Sequence, residues 1–257
     1  MSLALPVICS FRLSQLAHCE DNPEFEHRPE LPTEVPGGKG FVEKHFADDR
    51  NVVEAYNNLT NVGMKSDLLR YLVLYVEGGV YTDTDTVALK PIDDWVPADI
   101  RDQVGLVVGS EFDRRDGGAW AEIPHWLQFC QWTIAAAPGH PVFRKMIDRV
   151  LQSLDYLSGI YQLPLSQLHP SSFDVMNSTG PAAWTDVVFA QLQEYDPSLK
   201  DTSDLSFMEQ PKLYGDALVL TIDGFGMGQL HSHSTNDGTI PEAALARHLF
   251  RGSWRDE

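Results

Sequence analysis

The chain has 257 residues, 43% of them hydrophobic and 22% charged, which is the balance of a globular protein that can build its core without disulfides. Its 19 Lys and Arg against 37 Asp and Glu give a net charge of −18, a surface that repels phosphate backbones and anionic lipid and so argues against a nucleic-acid partner. The three cysteines, Cys9, Cys19 and Cys130, form no CxxC pair, which excludes a zinc ribbon, and no apolar run reaches the roughly 20 residues of a bilayer span.

In chain order, residues 4–11 read as one short strand, and the segment MSLALPVICSF lacks the basic region of a signal peptide. Residues 20–40, with four prolines and three glycines, read as an irregular exposed connection. Phe41 to Phe46 and Val52 to Leu59 read as short helices. KSDLLRYLVLYVEGGVY follows, with Ser66 as the expected N-cap and Leu68, Leu69, Leu72, Val73 and Val76 at helical spacing. Gly78 ends that helix and Val80–Tyr81 opens a strand. Val104 to Gly109 reads as a buried strand, Trp126 to Ala137 as a helix ended by Pro138-Gly139, and Pro141 to Leu154 and Pro181 to Tyr195 as helices with proline in the first turn. Ala217 to Ile222 is a last apolar strand. Strands alternating with helices imply an α/β fold, a mostly parallel sheet flanked by helices, in a single domain over 1–257 with 1–40 atypical.

Asp83 and Asp85 form an Asp-x-Asp pair just after the strand that Val80 opens. In extended chain, residues i and i+2 point to one side, so both carboxylates can meet a hard cation such as Mg²⁺ or Mn²⁺. The alternative for such a tripeptide is a solvated turn. Asp67 and Arg70 share a face of the preceding helix, whose apolarity makes two charges costly unless they pair or hold a ligand. A plain ion pair explains them alone; together with Asp83 and Asp85 they point to a phosphate-sugar site.

The segment SDLLRYLVLYVEGGVYTDTD resembles the signature of glycosyltransferase family 32, which includes fungal α-1,6-mannosyltransferases of the initiation-specific type and sphingolipid mannosyltransferases. The likeness extends from FVEKHF through TIAAAPGHPVF and NSTGPAAWTDVV to HLFRGSW. It implies a GT-A-type nucleotide-sugar fold, a nucleotide-sugar donor (GDP-mannose), a glycan acceptor, a divalent cofactor (Mn²⁺ or Mg²⁺), retention of configuration and a Golgi setting. By resemblance, Asp67 and Arg70 contact the donor, Gly78 and Gly79 let the backbone pass close to it, and Tyr81 lines the site. Asp83 faces the ribose and a metal-bound water, and Asp85 binds the ion. His248 or Ser253 adds a metal ligand, and Trp254 packs near the diphosphate. The family's usual first strand has no counterpart in residues 1–40, which leaves base selectivity open. The oligomeric state, nucleophile and acceptor base are not legible. Other readings of the same residues are another sugar specificity, an inactive sugar-nucleotide-binding homologue and a metal-dependent phosphohydrolase.

Remaining motifs weigh less. Gly224-Phe-Gly226-Met-Gly228 mimics a dinucleotide loop but lacks a following helix pattern. His231 and His233 read as a polar loop near the acceptor rather than a metal pair. Ser110-Glu111 closes a strand, divided between facing the acceptor and capping. Trp120, Trp126, Trp132 and Trp184 read as mostly core, with one lining a sugar subsite. Asn58-Leu-Thr60 and Asn177-Ser-Thr179 are N-glycosylation sequons.

Overall fold

The structure, a computed structural model, describes residues 37–120, 123–230 and 232–250 and the backbone of Val7–Cys9. Its strands are β1 (Val7–Cys9), β2 (Gly79–Thr82), β3 (Thr86–Ala88), β4 (Leu106–Val108), β5 (Ser110–Asp113), β6 (Leu127–Phe129), β7 (Thr133–Ala136), β8 (Lys212–Tyr214), β9 (Ala217–Val219) and β10 (Ala246–His248). The helices are α1 (Gly37–His45), α2 (Arg50–Asn58), α3 (Val62–Glu77), α4 (Pro141–Tyr161), α5 (Ser172–Ser178), α6 (Pro181–Tyr195) and α7 (Ile222–Gly226).

Six strands form the main sheet in the order β1-β2-β7-β4-β9-β8. The α/β class is as expected, but the pairing is mixed. Among the described residues only β4–β9 is a parallel pair in this sheet; β1–β2, β2–β7, β4–β7 and β8–β9 are antiparallel. The reason is the path between β4 and β7, which runs through the β5–β6 hairpin rather than a crossover helix, so β7 returns against its neighbours. Two antiparallel steps leave β2, β4 and β9 pointing the same way. Their C-terminal ends share one edge of the sheet, where open α/β sheets bind ligands. Residues 7–9 add an edge strand beside β2, within the segment expected to be strand.

The strand pleat divides the core. Tyr81, Leu106, Val108, Ile134, Ala136, Ala217 and Val219 face one way, onto α3, α4 and α6. Val80, Val107, Ala135 and Leu218 face the other, onto Trp95, Phe225 and Leu245. Trp184 of α6 is fully buried between Tyr71 and Phe143, with ring centroids 5.5 and 5.7 Å away, which makes it core.

The helix expected over 126–137 is two strands. In β6, Leu127 and Phe129 enter the core while Gln128 turns to the opposite side, a period of two. In β7, Thr-Ile-Ala-Ala fills the slot between β2 and β4 and is buried on both faces, so its alanines, good helix formers in isolation, are overridden by the ladder. Helix α3 also starts earlier than Ser66. The Asn61 side chain accepts from the Met64 amide at 3.0 Å and nucleates the helix at Val62. Asp67 through Leu74 are then buried without a break, so this helix is enclosed on all sides.

Candidate active site

Enclosure of α3 puts two charges inside the protein. Arg70 is 6% exposed, and its guanidinium meets the Asp67 carboxylate at 2.8 Å, the Gln131 carbonyl at 3.0 Å and Asp83 Oδ1 at 3.4 Å. Its plane lies 4.7 Å over the Tyr81 ring, whose hydroxyl donates to Asp83 Oδ1 at 2.7 Å. The second Asp67 oxygen accepts from the Thr179 hydroxyl at 2.8 Å. Arg70 Nε has no hydrogen-bond partner among the described residues, so one donor of the fork is unused.

The electrostatics follow from burial and from this cation. Burial raises Asp67, and Arg70 with Thr179 pulls it back only to about 6. Burial also acts to raise Asp83, but Arg70 and hydrogen bonds from His248 and Tyr81 overcome it and hold the carboxyl below the ordinary aspartate value. Burial opposes charge on Arg70, yet Tyr81, Asp83 and Asp67 outweigh it and keep the guanidinium protonated. Asp83 is therefore a fixed carboxylate.

The Asp-x-Asp turn leaves the C-terminal end of β2. The Asp83 amide donates to the Trp132 carbonyl at 2.9 Å, anchoring the turn on the chain entering β7. Strand β10 pairs with β3 so that His248 lies opposite Thr86, and the Leu249 amide donates to the Asp85 carbonyl at 2.9 Å. His248 Nε2 is thereby held 3.0 Å from Asp85 Oδ1 and 3.7 Å from Asp83 Oδ2. One ligand atom from each of Asp83, Asp85 and His248 lies within 4.8 Å of the others. Two carboxylates and an imidazole, all partly open to solvent, are a donor set that a divalent ion accepts, with positions over for water and phosphate oxygens. Trp132 packs 5.0 Å from the His248 ring and 5.4 Å from Phe250, forming an aromatic wall.

The expected residues thus divide. Asp67, Arg70, Tyr81, Asp83, Asp85 and His248 come together, His248 across 163 residues of chain. Gly78 and Gly79 do not. Gly78 caps the end of α3 and Gly79 opens β2, whereas Asp83 follows the end of that strand, roughly 13 Å from Gly79. Gly78 has φ 63°, and a Cβ there would sit 2.5 Å from the Pro138 nitrogen and 2.8 Å from the Ala136 carbonyl. The chain passes so tightly against the β7–α4 turn that this position requires glycine. Ser253, Trp254 and His231 lie outside the described residues. His233 stands beside Gly117, and Trp120 and Trp126 are exposed. Gly224 and Gly226 belong to the short helix α7, where a Cβ on Gly226 would strike the Ser110 carbonyl, so this run is a packing device.

Sequence reasoning gave no role to Gln131 or Thr179. Gln131 is buried, donates to the Tyr71 hydroxyl, bonds the Thr179 carbonyl at 2.8 Å and offers its own carbonyl to Arg70. Buried polar side chains within an apolar segment were the available signal for both.

Residues 38–101 match the family described as a glycosyltransferase sugar-binding region containing a DXD motif. That region holds α3, β2 and the Asp-x-Asp turn. It is 36% identical over 226 residues to an initiation-specific α-1,6-mannosyltransferase of Schizosaccharomyces pombe, covering 85% of this chain and 54% of that protein. It is 32% identical over 260 residues to the Candida albicans protein of that name, covering 93% and 65%. It is 34% identical over 221 residues to the putative glycosyltransferase HOC1 of Saccharomyces cerevisiae, covering 84% and 54%. The chain therefore spans about half to two thirds of the length of these relatives. The match over this region accords with the GT-A-type α/β reading. Among the described residues no helix is long and apolar enough to cross a membrane.

Proposed function

We propose that this chain carries the catalytic region of a retaining glycosyltransferase that moves mannose from GDP-mannose to a glycan acceptor. The observation that carries the reading is the meeting of Asp83, Asp85 and His248 within 4.8 Å, beside a buried arginine with an unused donor. The names of the relatives, α-1,6-mannosyltransferases, support the sugar and the acceptor class.

Asp83, Asp85 and His248 would hold the divalent ion, which supplies charge neutralisation for the departing diphosphate. An imidazole among the ligands favours Mn²⁺ over Mg²⁺. Arg70 is fixed before any substrate arrives by Asp67, the Gln131 carbonyl and the Tyr81 ring, so its charge costs little reorganisation when a phosphate develops charge nearby. Asp67 and Thr179 position Arg70 and need not touch the donor. Trp132 gives an apolar wall for a sugar or base. On this reading the chemistry belongs in the Golgi lumen and the whole chain is one catalytic domain, both of them implications of the family resemblance.

Titration calorimetry with GDP-mannose, UDP-glucose and UDP-galactose, each with and without Mn²⁺, tests the reading. Manganese-dependent binding of GDP-mannose alone is expected. Binding of a uridine donor instead refutes the sugar assignment while keeping the site, and binding that ignores the metal refutes the role of the acidic pair.

A further inference from the structure

At the tip of the β5–β6 hairpin, backbone strain gathers on exposed side chains. Among the described residues five that are not glycine have positive φ: Arg115, Gln162, Phe207, His233 and Phe250. Gln162 is the left-handed cap that closes α4, an ordinary use of that conformation. The other four lie at the end of the molecule that carries the cation site. Phe250 packs 4.2 Å from His248 and 5.4 Å from Trp132 by ring centroid, and the remaining three meet at the hairpin. Phe207 stands out, an aromatic residue at φ 60° that is 52% exposed, so burial of its ring is not what holds it there. Strain of this kind collects at binding and catalytic sites.

One buried carboxylate holds the strained turns. Asp113, at the end of β5, accepts from the Arg115 amide at 3.2 Å, the Phe207 amide at 2.9 Å and the Ser206 hydroxyl, and meets Arg115 Nε at 3.4 Å. The Arg115 guanidinium then lies 5.8 Å from the centroid of the Phe207 ring. Across the hairpin, the Arg114 amide donates to the Trp126 carbonyl at 2.8 Å and Arg114 Nε to the Gly117 carbonyl at 3.2 Å, which sets the guanidinium 4.6 Å over the Trp126 ring. Trp126 is still 38% exposed. Among the described residues no carboxylate pairs with Arg114, although acids outnumber Lys and Arg by 37 to 19, so its terminal nitrogens keep donors to offer. Two adjacent arginines thus each back one exposed aromatic ring.

This surface is tied to the cation site by short stretches of chain. Strand β5 leaves the C-terminal end of β4, so the hairpin rises from the sheet edge at which the Asp-x-Asp turn follows β2. Trp126 is six residues from Trp132, whose ring lies 5.0 Å from His248, and six residues reach no more than about 22 Å. The other connection is shorter. The Asp113 amide donates to the Ser232 carbonyl at 3.3 Å and His233 stands against Gly117, while Gly228, four residues before Ser232, lies beside the Arg247 side chain next to His248 on β10. Four residues span at most about 14 Å.

On the transfer reading given above, we propose that the hairpin tip is an outer acceptor subsite, in which Trp126 and Phe207, with Arg114 and Arg115, take the far sugars of a neutral oligosaccharide whose reacting end lies at the cation site. A pyranose presents a face of C–H groups and a rim of hydroxyls. The face packs on the electron-rich face of an aromatic ring, and the hydroxyls accept from guanidinium N–H groups. Rings already fixed by cation–π contact and by the Asp113 bonds lose little freedom when a ligand arrives. A polyanionic ligand meets a net charge of −18, which leaves a neutral chain of sugars as the fitting occupant. Strand β6 stands between Trp126 and the residues that lead to Trp132, so a ligand touching both ends is an oligosaccharide, and affinity rises with its length.

Calorimetric titration of the whole chain with α-1,6-mannobiose and with α-1,6-mannohexaose, in Mn²⁺ and without donor, tests the subsite. Wild type is expected to bind the hexaose about tenfold or more tighter than the biose, the scale of one aromatic contact. Trp126→Ala and Phe207→Gly should each cut that gain about threefold or more. Glycine at 207 removes the ring and accepts φ 60°, so this variant keeps the turn and the fold. In nitrogen-labelled protein the indole N–H resonance that Trp126→Ala deletes should shift as hexaose is added. Equal affinity for the two lengths in wild type, or a gain that survives both substitutions, overturns the subsite. A chain that transfers sugar to both acceptors without a length gain refutes the subsite alone. A chain that shows the gain through these residues yet transfers from none of the donors named above refutes the transfer reading and leaves the hairpin a glycan-binding surface.

Discussion

Replacing Arg70 by alanine separates the energetic role of the buried pair from its role toward a ligand. In the native protein Asp67 ionises near pH 6 against 3.8 for a free aspartate, a difference of about 3 kcal/mol in favour of its protonated form. The sign follows: its folded value is raised, so Asp67 contributes most stability below about pH 3.8 and that contribution is lost as pH climbs through 6. Without Arg70 the carboxylate loses the cation that draws it down, keeps the Thr179 hydroxyl, and its ionisation moves higher still. At pH 7 the variant is therefore expected to lose about 3–5 kcal/mol, the cost of orphaning one member of a buried pair. At pH 5, where Asp67 takes a proton, the loss should be markedly smaller. Urea unfolding at the two pH values reads this directly. The double variant Asp67→Leu, Arg70→Met removes both charges at similar volume and should recover most of the stability while donor affinity stays low. An equal loss at both pH values would refute the buried-charge argument; a double variant that binds donor as wild type does would reduce Arg70 to a structural ion pair.

Three further outcomes are expected. Asp85→Ala and His248→Ala should each weaken Mn²⁺, read by calorimetry with the metal alone, by about tenfold or more, with Asp85 the larger loss; unchanged affinity in both would remove the cation site. Gly78→Ala, forced to φ 63° against the Pro138 backbone, should cost about 3 kcal/mol in thermal or urea unfolding yet leave donor affinity intact in the folded fraction. A loss of affinity without loss of stability would restore the glycine to the ligand site. Thr179→Val removes the hydroxyl that supports ionised Asp67, so its stability loss, about 1–2 kcal/mol at pH 7, should shrink as pH falls below 6. A loss independent of pH would show that Asp67 does not titrate there.

Much of the site was legible because its core is local. Helical spacing placed Asp67 and Arg70 on one face of α3, the Gly-Gly step ended that helix, and extended chain set the Asp83 and Asp85 carboxylates two residues apart; each is a consequence of covalent geometry over fewer than twenty residues. What the tertiary structure decided was everything contributed from a distance. His248 reaches the acidic pair through the β10–β3 ladder, and the Gln131 carbonyl meets Arg70 from 61 residues away. Thr179 meets Asp67 from 112 residues away. The same holds for the strands at 127–136. Their alanines and single polar residues favour a helix in isolation, and only the slot between β2 and β4, with its unfilled backbone donors and acceptors, turns them into β7 and carries Gln131 and Trp132 to the site. Gly78 shows the same limit from the other side, since φ 63° and contact with Pro138 answer to a neighbouring turn that the spacing of residues does not encode. Local pattern specifies which groups are present and which face they share, whereas the partner each buried polar group finds depends on which segments the sheet brings to one edge.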